Sequence, residues 1–208
     1  MEFEVLEFAG FKSAMHSMRN PKDSWSKNDS TDIMNGMGLG PNDKELTLRL
    51  QKAGPEHAKH LRQIMVWVDI RAPRFWWTEF DTYRIGVEKN SCSTMHKLMD
   101  RPLALTDFEC ETEAELALES VIRALNARME NYKELMKSGA TLEAKEIWRS
   151  IIQLLPQSYL QKRTVMISYA ALRNIIRQRR GHKLAEWAQF IEWCKTLPEA
   201  KVLLFDDD

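Results

Sequence analysis

The chain of 208 residues is long enough for one domain with a sizeable buried core or for two small ones. Its 30 basic residues balance 30 acidic ones, which argues against nucleic acid or an anionic membrane as a partner. Apolar runs too short to span a membrane, and three scattered cysteines without a C-x-x-C pair, favour a protein of the reducing cytoplasm.

Two strands, two helices and one long loop are predicted in the first half. EFEVLEF alternates apolar and acidic residues, which indicates a strand and is unlike a signal peptide. Residues 19–43 are rich in Asn, Asp, Ser, Gly and Pro and predict a long loop. NDKELTLRLQKAG predicts a short helix with Asn42 or Asp43 as N-cap and Gly54 after its end. QIMVWVDI predicts a strand, and APRFWWTEFDTY predicts a helix with Pro73 in its first turn.

The polar stretch DTYRIGVEKNSCSTMH, residues 81–96, has too few apolar residues for a core element and is predicted as a loop. It carries basic, amide and hydroxyl side chains close together. Two interpretations remain open, a solvated loop and the wall of a pocket for a polar, anionic ligand.

Helices dominate the second half. TEAELALESVIRALNARMENYKELMKSG has one apolar stripe and predicts a long amphipathic helix ended by Gly139. TLEAKEIWRSIIQLLP predicts a helix stopped by Pro156, SYLQKRTVMISYA a strand, and ALRNIIRQRRGHKLAEWAQFIEWCKTLP two helices around Gly181. Residues 198–208 are predicted as a charged tail. Because no repeat or linker is visible, we predict one α+β domain over residues 1–208.

The sequence has no standard nucleophile, phosphate-loop, dinucleotide-binding or metalloprotease motif. His57 and His60 have the spacing of a shared helix face beside Glu56, but no third fixed ligand accompanies them, so no metal site is predicted. Cys92 has no activating neighbour and is not predicted as a nucleophile.

A cluster of basic residues, RNIIRQRRGHK, lies in the last third of the chain. Three arginines share one face of the predicted helix, which indicates a solvated surface: Arg173, Arg177 and Arg180. Arg179 instead points toward the side of Ile175 and Ile176. A guanidinium that leans toward an apolar side needs an anion or a polar partner there.

From about Gly38 to Leu197, the order and spacing of these segments resemble the flavin-dependent thymidylate synthases. That family carries the motif R-H-R-x-x-S-x-N-x-x-S-x-R after a helix with an Ala-Pro lead-in, and this chain has RAPRFWWTEFDTYRIGVEKNSCSTMH. Thr82 and Tyr83 stand in place of the motif's first Arg and His, and Arg84 matches the second Arg. When one inserted residue is allowed, Asn90 and Ser93 match the motif's Asn and second Ser. Val87 replaces the first Ser, and Thr94 or Met95 the last Arg.

The flanking segments extend the resemblance. Upstream, GLGPNDKELTLRLQKAGPEH is similar to the family's helix before a flavin-contacting His, here His57. Downstream, Asn174 matches a flavin-side Asn, Arg179 the Arg that holds the nucleotide, and His182 lies within one position of a flavin-contacting His. Ser168 and Ala170 replace a flavin-site Asn and Arg.

The resemblance implies a small, mostly antiparallel sheet flanked by long helices, and a homotetramer with active sites at subunit interfaces. It also implies that reduced FAD, NADPH and methylenetetrahydrofolate convert dUMP to dTMP without an enzyme nucleophile. The implied catalytic residues are Arg179 and Arg84. The implied cofactor-binding residues are His57, Tyr83, Arg84, Asn174 and His182. The implied substrate-binding residues are Glu79, Asn90, Ser93 and Arg179.

Two other functions remain open. One is an inactive relative that serves as a nucleotide-binding or assembly module, which the missing Arg-His pair favours. The other is a hydroxymethylase of dUMP or dCMP, in which water traps the folate methylene. So divergent a member is compatible with a phage or mobile-element source.

Overall fold

The computed structural model describes residues 1–33 and 36–205. The strands are β1 Glu2–Ala9, β2 Thr31–Ile33, β3 Gly36–Gly38, β4 Met65–Pro73, β5 Val87–Ser91 and β6 Leu160–Ser168. The helices are α1 Phe11–Ser17, α2 Pro41–Ala53, α3 Arg74–Phe80, α4 Thr94–Lys97, α5 Glu115–Ser138, α6 Thr141–Leu154, α7 Tyr169–Arg179, α8 Ala185–Lys195 and α9 Ala200–Leu203. Within the described ranges, no helix is long and apolar enough to cross a membrane.

Four strands form an antiparallel sheet in the order β1–β4–β6–β5, and β2 and β3 form a separate antiparallel pair. The predicted α+β class with long helices is therefore confirmed. In β4, side chains alternate between buried and partly exposed, with Val66, Val68 and Ile70 fully buried, as expected of a strand whose two faces differ.

The residues group into two compact units. The first comprises Met1–Ile70, Asp81–Asn90 and Thr164–Asp208, and the second comprises Arg71–Phe80 and Ser91–Arg163. The core of the first unit includes β4, α7 and α8, and the core of the second includes the α5–α6 hairpin. The prediction that residues 1–208 act as one domain stays a prediction.

The prediction that residues 81–96 form a loop was wrong. The segment contains β5 and α4. Val87 is the buried apolar side chain of β5, and backbone hydrogen bonds also hold the segment in place. In one of them, the N–H of Ser168 donates to the C=O of Gly86 at 2.9 Å. Gly86 has a φ of +71°, and a Cβ there would lie 2.5 Å from Oγ of Ser168. The strand therefore depends on backbone bonds and a glycine rather than on an apolar pattern.

The predicted N-cap of α2 was also wrong. The helix begins at Pro41, and the carboxylate of Asp29, distant in the chain, accepts from the N–H groups of Asn42 at 2.9 Å and Asp43 at 3.0 Å. Burial alone would raise the pKa of Asp29, but these backbone donors outweigh it and lower that pKa. Asp29 thus ties the predicted loop of residues 19–43 to the start of α2, and residues 34 and 35 of that loop lie outside the described residues.

The end of the chain also differs from the predicted tail. Residues 200–203 form α9, where Val202 and Leu203 are buried, and Leu204 is buried after it. These apolar residues pack into the first unit because three successive positions, 202–204, lack charge. Residues 206–208 of the predicted tail lie outside the described residues.

His57 and His60 do not share a helix face. His57 is exposed in a turn, 3.6 Å from Glu56, whereas His60 is 2% exposed in a short 3-10 helix, Lys59–Arg62. The amide of Gln51 donates to Oγ1 of Thr47 at 3.1 Å, and this oxygen lies 2.6 Å from Nε2 of His60. We infer that Thr47 donates its proton to Nε2, so His60 is held neutral. Burial lowers the pKa of His60 to about 4.

The unfolding free energy is expected to decrease as the pH falls from 6.5 to about 4. In that window the unfolded chain binds a proton at His60 and the folded chain does not, because its pKa in the fold is about 4 against a model-peptide value of 6.5. The loss should total about 3 kcal/mol. Urea titrations at several pH values in this range give the dependence of the unfolding free energy on pH. This dependence should be weaker in His60→Gln and unchanged in His57→Gln, which alters an exposed position. An equal pH dependence of the unfolding free energy in the wild type and both variants would contradict the prediction.

Candidate functional site

The side chain of Arg179 is held on three sides in the first unit. Its Nε–H donates to the hydroxyl of Tyr83 at 2.8 Å, and its Nη1 lies 3.1 Å from Nε2 of His182. The guanidinium carbon lies 4.4 Å from the ring centre of Trp187 and 5.5 Å from that of Tyr83. Trp187 is fully buried and the other three side chains are partly exposed. Cation–π contact with a buried indole therefore fixes the plane of the guanidinium.

The turn between α7 and α8 brings three of these side chains together. Arg179 is the last residue of α7, and the N–H of His182 donates to the C=O of Arg179 at 3.1 Å. Gly181 has a φ of +71°, which glycine adopts without a steric penalty. Because α8 begins at Ala185, Trp187 lies in its first turn. The local sequence thus places an arginine, a histidine and a tryptophan around one reversal of the chain.

Ser168 joins α7 to the segment that carries Tyr83. Its N–H donates to Gly86, as described above, and its Oγ accepts from the N–H of Ala171 at 3.2 Å, which caps the start of α7. Ser168 is 3% exposed. Pairing with this residue brings the stretch before β5 to α7, where Tyr83 contacts Arg179.

A chain of hydrogen bonds continues from Tyr83 along α7. The hydroxyl of Tyr83 donates to Oε1 of Gln178 at 3.1 Å, and Nε2 of Gln178 donates to Oδ1 of Asn174 at 3.1 Å. Asn174 and Gln178 are exposed and lie one helical turn apart. Of the residues predicted to bind a cofactor, Tyr83, Asn174 and His182 are therefore linked to Arg179.

Two N–H donors converge on the imidazole of His182. Arg179 approaches Nε2, and the N–H of Leu184 approaches Nδ1 at 3.2 Å. A neutral imidazole accepts at one nitrogen, and a protonated one accepts at neither. Because the N–H of Leu184 donates to Nδ1, that nitrogen acts as an acceptor, and the two contacts together fix the orientation of the imidazole beside Arg179.

A groove of about 670 Å³ opens beside this cluster. It is lined by Arg179, Arg180, Gly181, His182, Ala188, Ile191, Glu192, Lys195, Lys201 and Phe205. Four of these residues are cationic and one is a carboxylate, which Lys195 contacts at 2.6 Å. The apolar surface and the excess of positive charge suit an amphipathic organic anion.

The second unit holds a smaller basic crevice of about 140 Å³, and Ser93 lies in its wall. Its cationic lining residues are Arg71, Lys97, Arg101 and Lys162, and its one carboxylate is Asp107. The hydrogen bonds from Arg101 lower the pKa of Asp107 against the opposing effect of burial. The crevice therefore offers hydroxyl and cationic groups of the kind that bind phosphate.

The other predicted site residues are exposed or partly exposed. Arg84 is exposed, Asn90 is exposed on β5, and His57 is exposed beside Glu56. Glu79 belongs to α3 in the second unit and is partly exposed.

Two contacts to the cluster were missed at the sequence level. The sequence predicts Trp187 as a core residue of an amphipathic helix, and its position six residues after Gly181 is the one sequence feature that indicates contact with Arg179. Gln178 gives no sequence signal. The prediction that Arg173 lies on a solvated face was wrong, since it is 7% exposed, whereas Arg177 and Arg180 are exposed. The helix packs with a wider buried face than its apolar residues alone indicate.

No protein-family model and no curated relative matches this sequence. Two solved structures of the flavin-dependent thymidylate synthase ThyX from Helicobacter pylori, both in complex with FAD and dUMP, are similar to this chain. Each has a TM-score of 0.71 and 19% sequence identity over 100% of this chain, and the match covers 99% and 98% of the two ThyX chains. The fold implied by the order of the sequence segments is therefore confirmed.

Proposed function

We propose that this protein is a flavin-dependent thymidylate synthase-like enzyme. It binds FAD and dUMP and transfers a one-carbon unit from methylenetetrahydrofolate to C5 of dUMP, with NADPH as the reductant. The observation that carries the proposal is the Arg179 guanidinium, oriented by Tyr83, His182 and Trp187. Its setting, a fold similar over the whole chain to a protein solved with FAD and dUMP, supports the proposal.

The residues around Arg179 fit a flavin nucleotide. FAD combines a flat aromatic ring with a diphosphate, and the groove combines apolar surface with an excess of cationic side chains. Tyr83, Asn174 and His182 would hold the cofactor beside Arg179. The bound flavin would supply the reducing equivalents, so the chain needs no nucleophile of its own. His57 and Arg84 are proposed as further flavin contacts.

Arg179 would donate hydrogen bonds to a uracil carbonyl. Its guanidinium remains charged at any physiological pH, so it stabilises negative charge that develops as C5 becomes nucleophilic. The support from Tyr83 and Trp187 holds the donor in place before the substrate arrives. This preorganisation is what makes an electrostatic contact effective in catalysis.

Within the second unit, the basic crevice would hold a phosphate group. Ser93 would donate a hydroxyl hydrogen bond, and Lys162 and Arg101 would supply charge. Asn90 and Glu79 would contact the nucleotide, and Arg84 would fix the geometry between flavin and phosphate. Active sites at the subunit interfaces of a cytoplasmic homotetramer are part of the proposal, and light scattering tests the assembly.

An absorbance spectrum of the purified protein is the first test. We expect flavin bands, either as purified or after titration with FAD, and a shift of those bands when dUMP is added. Loss of the oxidised-flavin absorbance on adding NADPH, and formation of dTMP rather than 5-hydroxymethyl-dUMP, would identify the reaction. A colourless protein that binds neither FAD nor dUMP would overturn the proposal and leave the assembly-module alternative.

A further inference from the structure

We propose that Gln178 is a positioning residue that acts on Arg179 through the hydroxyl of Tyr83. This inference rests on the proposed function, because Arg179 is taken there as the group that binds the uracil. Gln178 is exposed, and its side chain forms hydrogen bonds with Tyr83 and Asn174. The contact through which it would act on nucleotide binding is its hydrogen bond with the phenol of Tyr83.

The direction of each hydrogen bond follows from the chemistry of Arg179. A guanidinium only donates, so the Tyr83 oxygen must accept from Nε–H at 2.8 Å. The single phenolic proton is then directed to Oε1 of Gln178 at 3.1 Å. The amide nitrogen of Gln178 donates in turn to Oδ1 of Asn174 at 3.1 Å. The three hydrogen bonds therefore run in one donor-to-acceptor direction, from Arg179 through Tyr83 and Gln178 to Asn174.

The orientation of the Gln178 amide decides whether the Tyr83 oxygen can accept the hydrogen bond from Nε–H of Arg179. If that amide were reversed, its NH₂ group would face the Tyr83 oxygen, and the phenolic proton would lose its acceptor. Asn174, one turn earlier on the same helix, opposes the reversal by accepting from Nε2. Helix α7 thus carries both ends of the network, Asn174 and Arg179, and the phenol closes it.

Each support of Arg179 acts on a different part of its side chain. Tyr83 holds Nε, His182 contacts Nη1, and Trp187 lies against the guanidinium face. An arginine side chain loses considerable rotamer entropy when it is fixed. Gln178 reduces the entropy that remains to be lost on nucleotide binding, because it keeps the Tyr83 oxygen available to Nε.

A double-mutant cycle tests this role. Gln178→Met removes the hydrogen bonds at similar size, and Tyr83→Phe removes the hydroxyl. We expect Gln178→Met to raise the Kd for dUMP about fivefold when Tyr83 is present and to have no further effect in the Tyr83→Phe background. Gln178→Glu, which keeps the acceptor oxygen, should restore most of the affinity. Gln153→Met, at an exposed position of α6, is the matched control and should bind dUMP normally.

A measurement without ligand separates this proposal from the proposed function. The Nε–H resonance of Arg179, assigned by its loss in Arg179→Lys, should exchange faster with water in Gln178→Met than in the wild type or the Gln153→Met control. Failure of dUMP binding in the wild type would overturn the proposed function while this resonance still reports on positioning. Unchanged Nε–H exchange in Gln178→Met, or an equal effect of that change with and without the Tyr83 hydroxyl, would overturn the role of Gln178.

Discussion

Replacing Arg179 by alanine is expected to weaken dUMP binding by about 100-fold or more while the protein remains folded. The change removes a charged donor, and hydrogen bonds to charged groups contribute about 1.5–3 kcal/mol each. It also leaves the hydroxyl of Tyr83 and Nε2 of His182 without their contacts to Arg179. Because Arg179 is partly exposed, water can replace it and the core is not disturbed.

Isothermal titration with dUMP gives the affinity, and thermal unfolding checks the fold. Arg177→Ala is the matched control, since it removes the same group from an exposed position two residues earlier on α7. Arg179→Lys keeps the charge but loses the planar group that lies on Trp187, so its affinity should fall between those of the wild type and the alanine variant. If Arg179→Ala bound dUMP with wild-type affinity, the assignment of Arg179 to the uracil site would be wrong.

The elements with a local cause were predictable from the sequence. Helix α5 has one apolar stripe and ends at Gly139, whose φ of +81° is the left-handed cap that glycine favours. The reversal at Gly181 has the same basis. Leu125 and Met129, four residues apart on the apolar side of α5, are buried. In each case the residues that determine the structure lie within a few turns of one another.

Elements that depend on distant partners were missed. Strand β5 has a single buried apolar residue, Val87, so no alternation signals it, and its pairing is set by Ser168 far along the chain. The cap of α2 comes from Asp29, whereas the sequence favoured residues adjacent to the helix. Propensity reports what a segment prefers alone, and these segments are determined by tertiary contacts.

The candidate site divides in the same way. Arg179 and His182 were predictable as neighbours because one turn joins them. The odd helical position of Arg179 predicted a polar partner, and the structure supplies Tyr83 and His182 as such partners. A helical projection of α7 could not show that the Arg179 guanidinium lies against the Trp187 ring, because this contact depends on how α8 follows the turn. The roles proposed for Arg84, His57, Asn90, Ser93 and Glu79 remain predictions.

Replacing Asp43 by alanine is expected to cost about 3–5 kcal/mol of unfolding free energy. Asp43 is fully buried and accepts from Nε of Arg19 at 2.6 Å, and Arg19 is only 4% exposed. The other carboxylate oxygen accepts from the N–H groups of Asp29 at 3.2 Å and Ser30 at 3.0 Å. The variant therefore leaves a buried guanidinium and two backbone donors without their acceptor, in the loop that caps α2.

Urea denaturation measures this loss, with Asp100→Ala as the control. Asp100 forms an exposed ion pair with Lys97 at 3.0 Å, and such pairs contribute at most about 1 kcal/mol. Adding Arg19→Met to Asp43→Ala should recover part of the stability, because a methionine removes the buried uncompensated charge. If Asp43→Ala were as mild as Asp100→Ala, the buried ion pair would not be what holds residues 19–43 against α2.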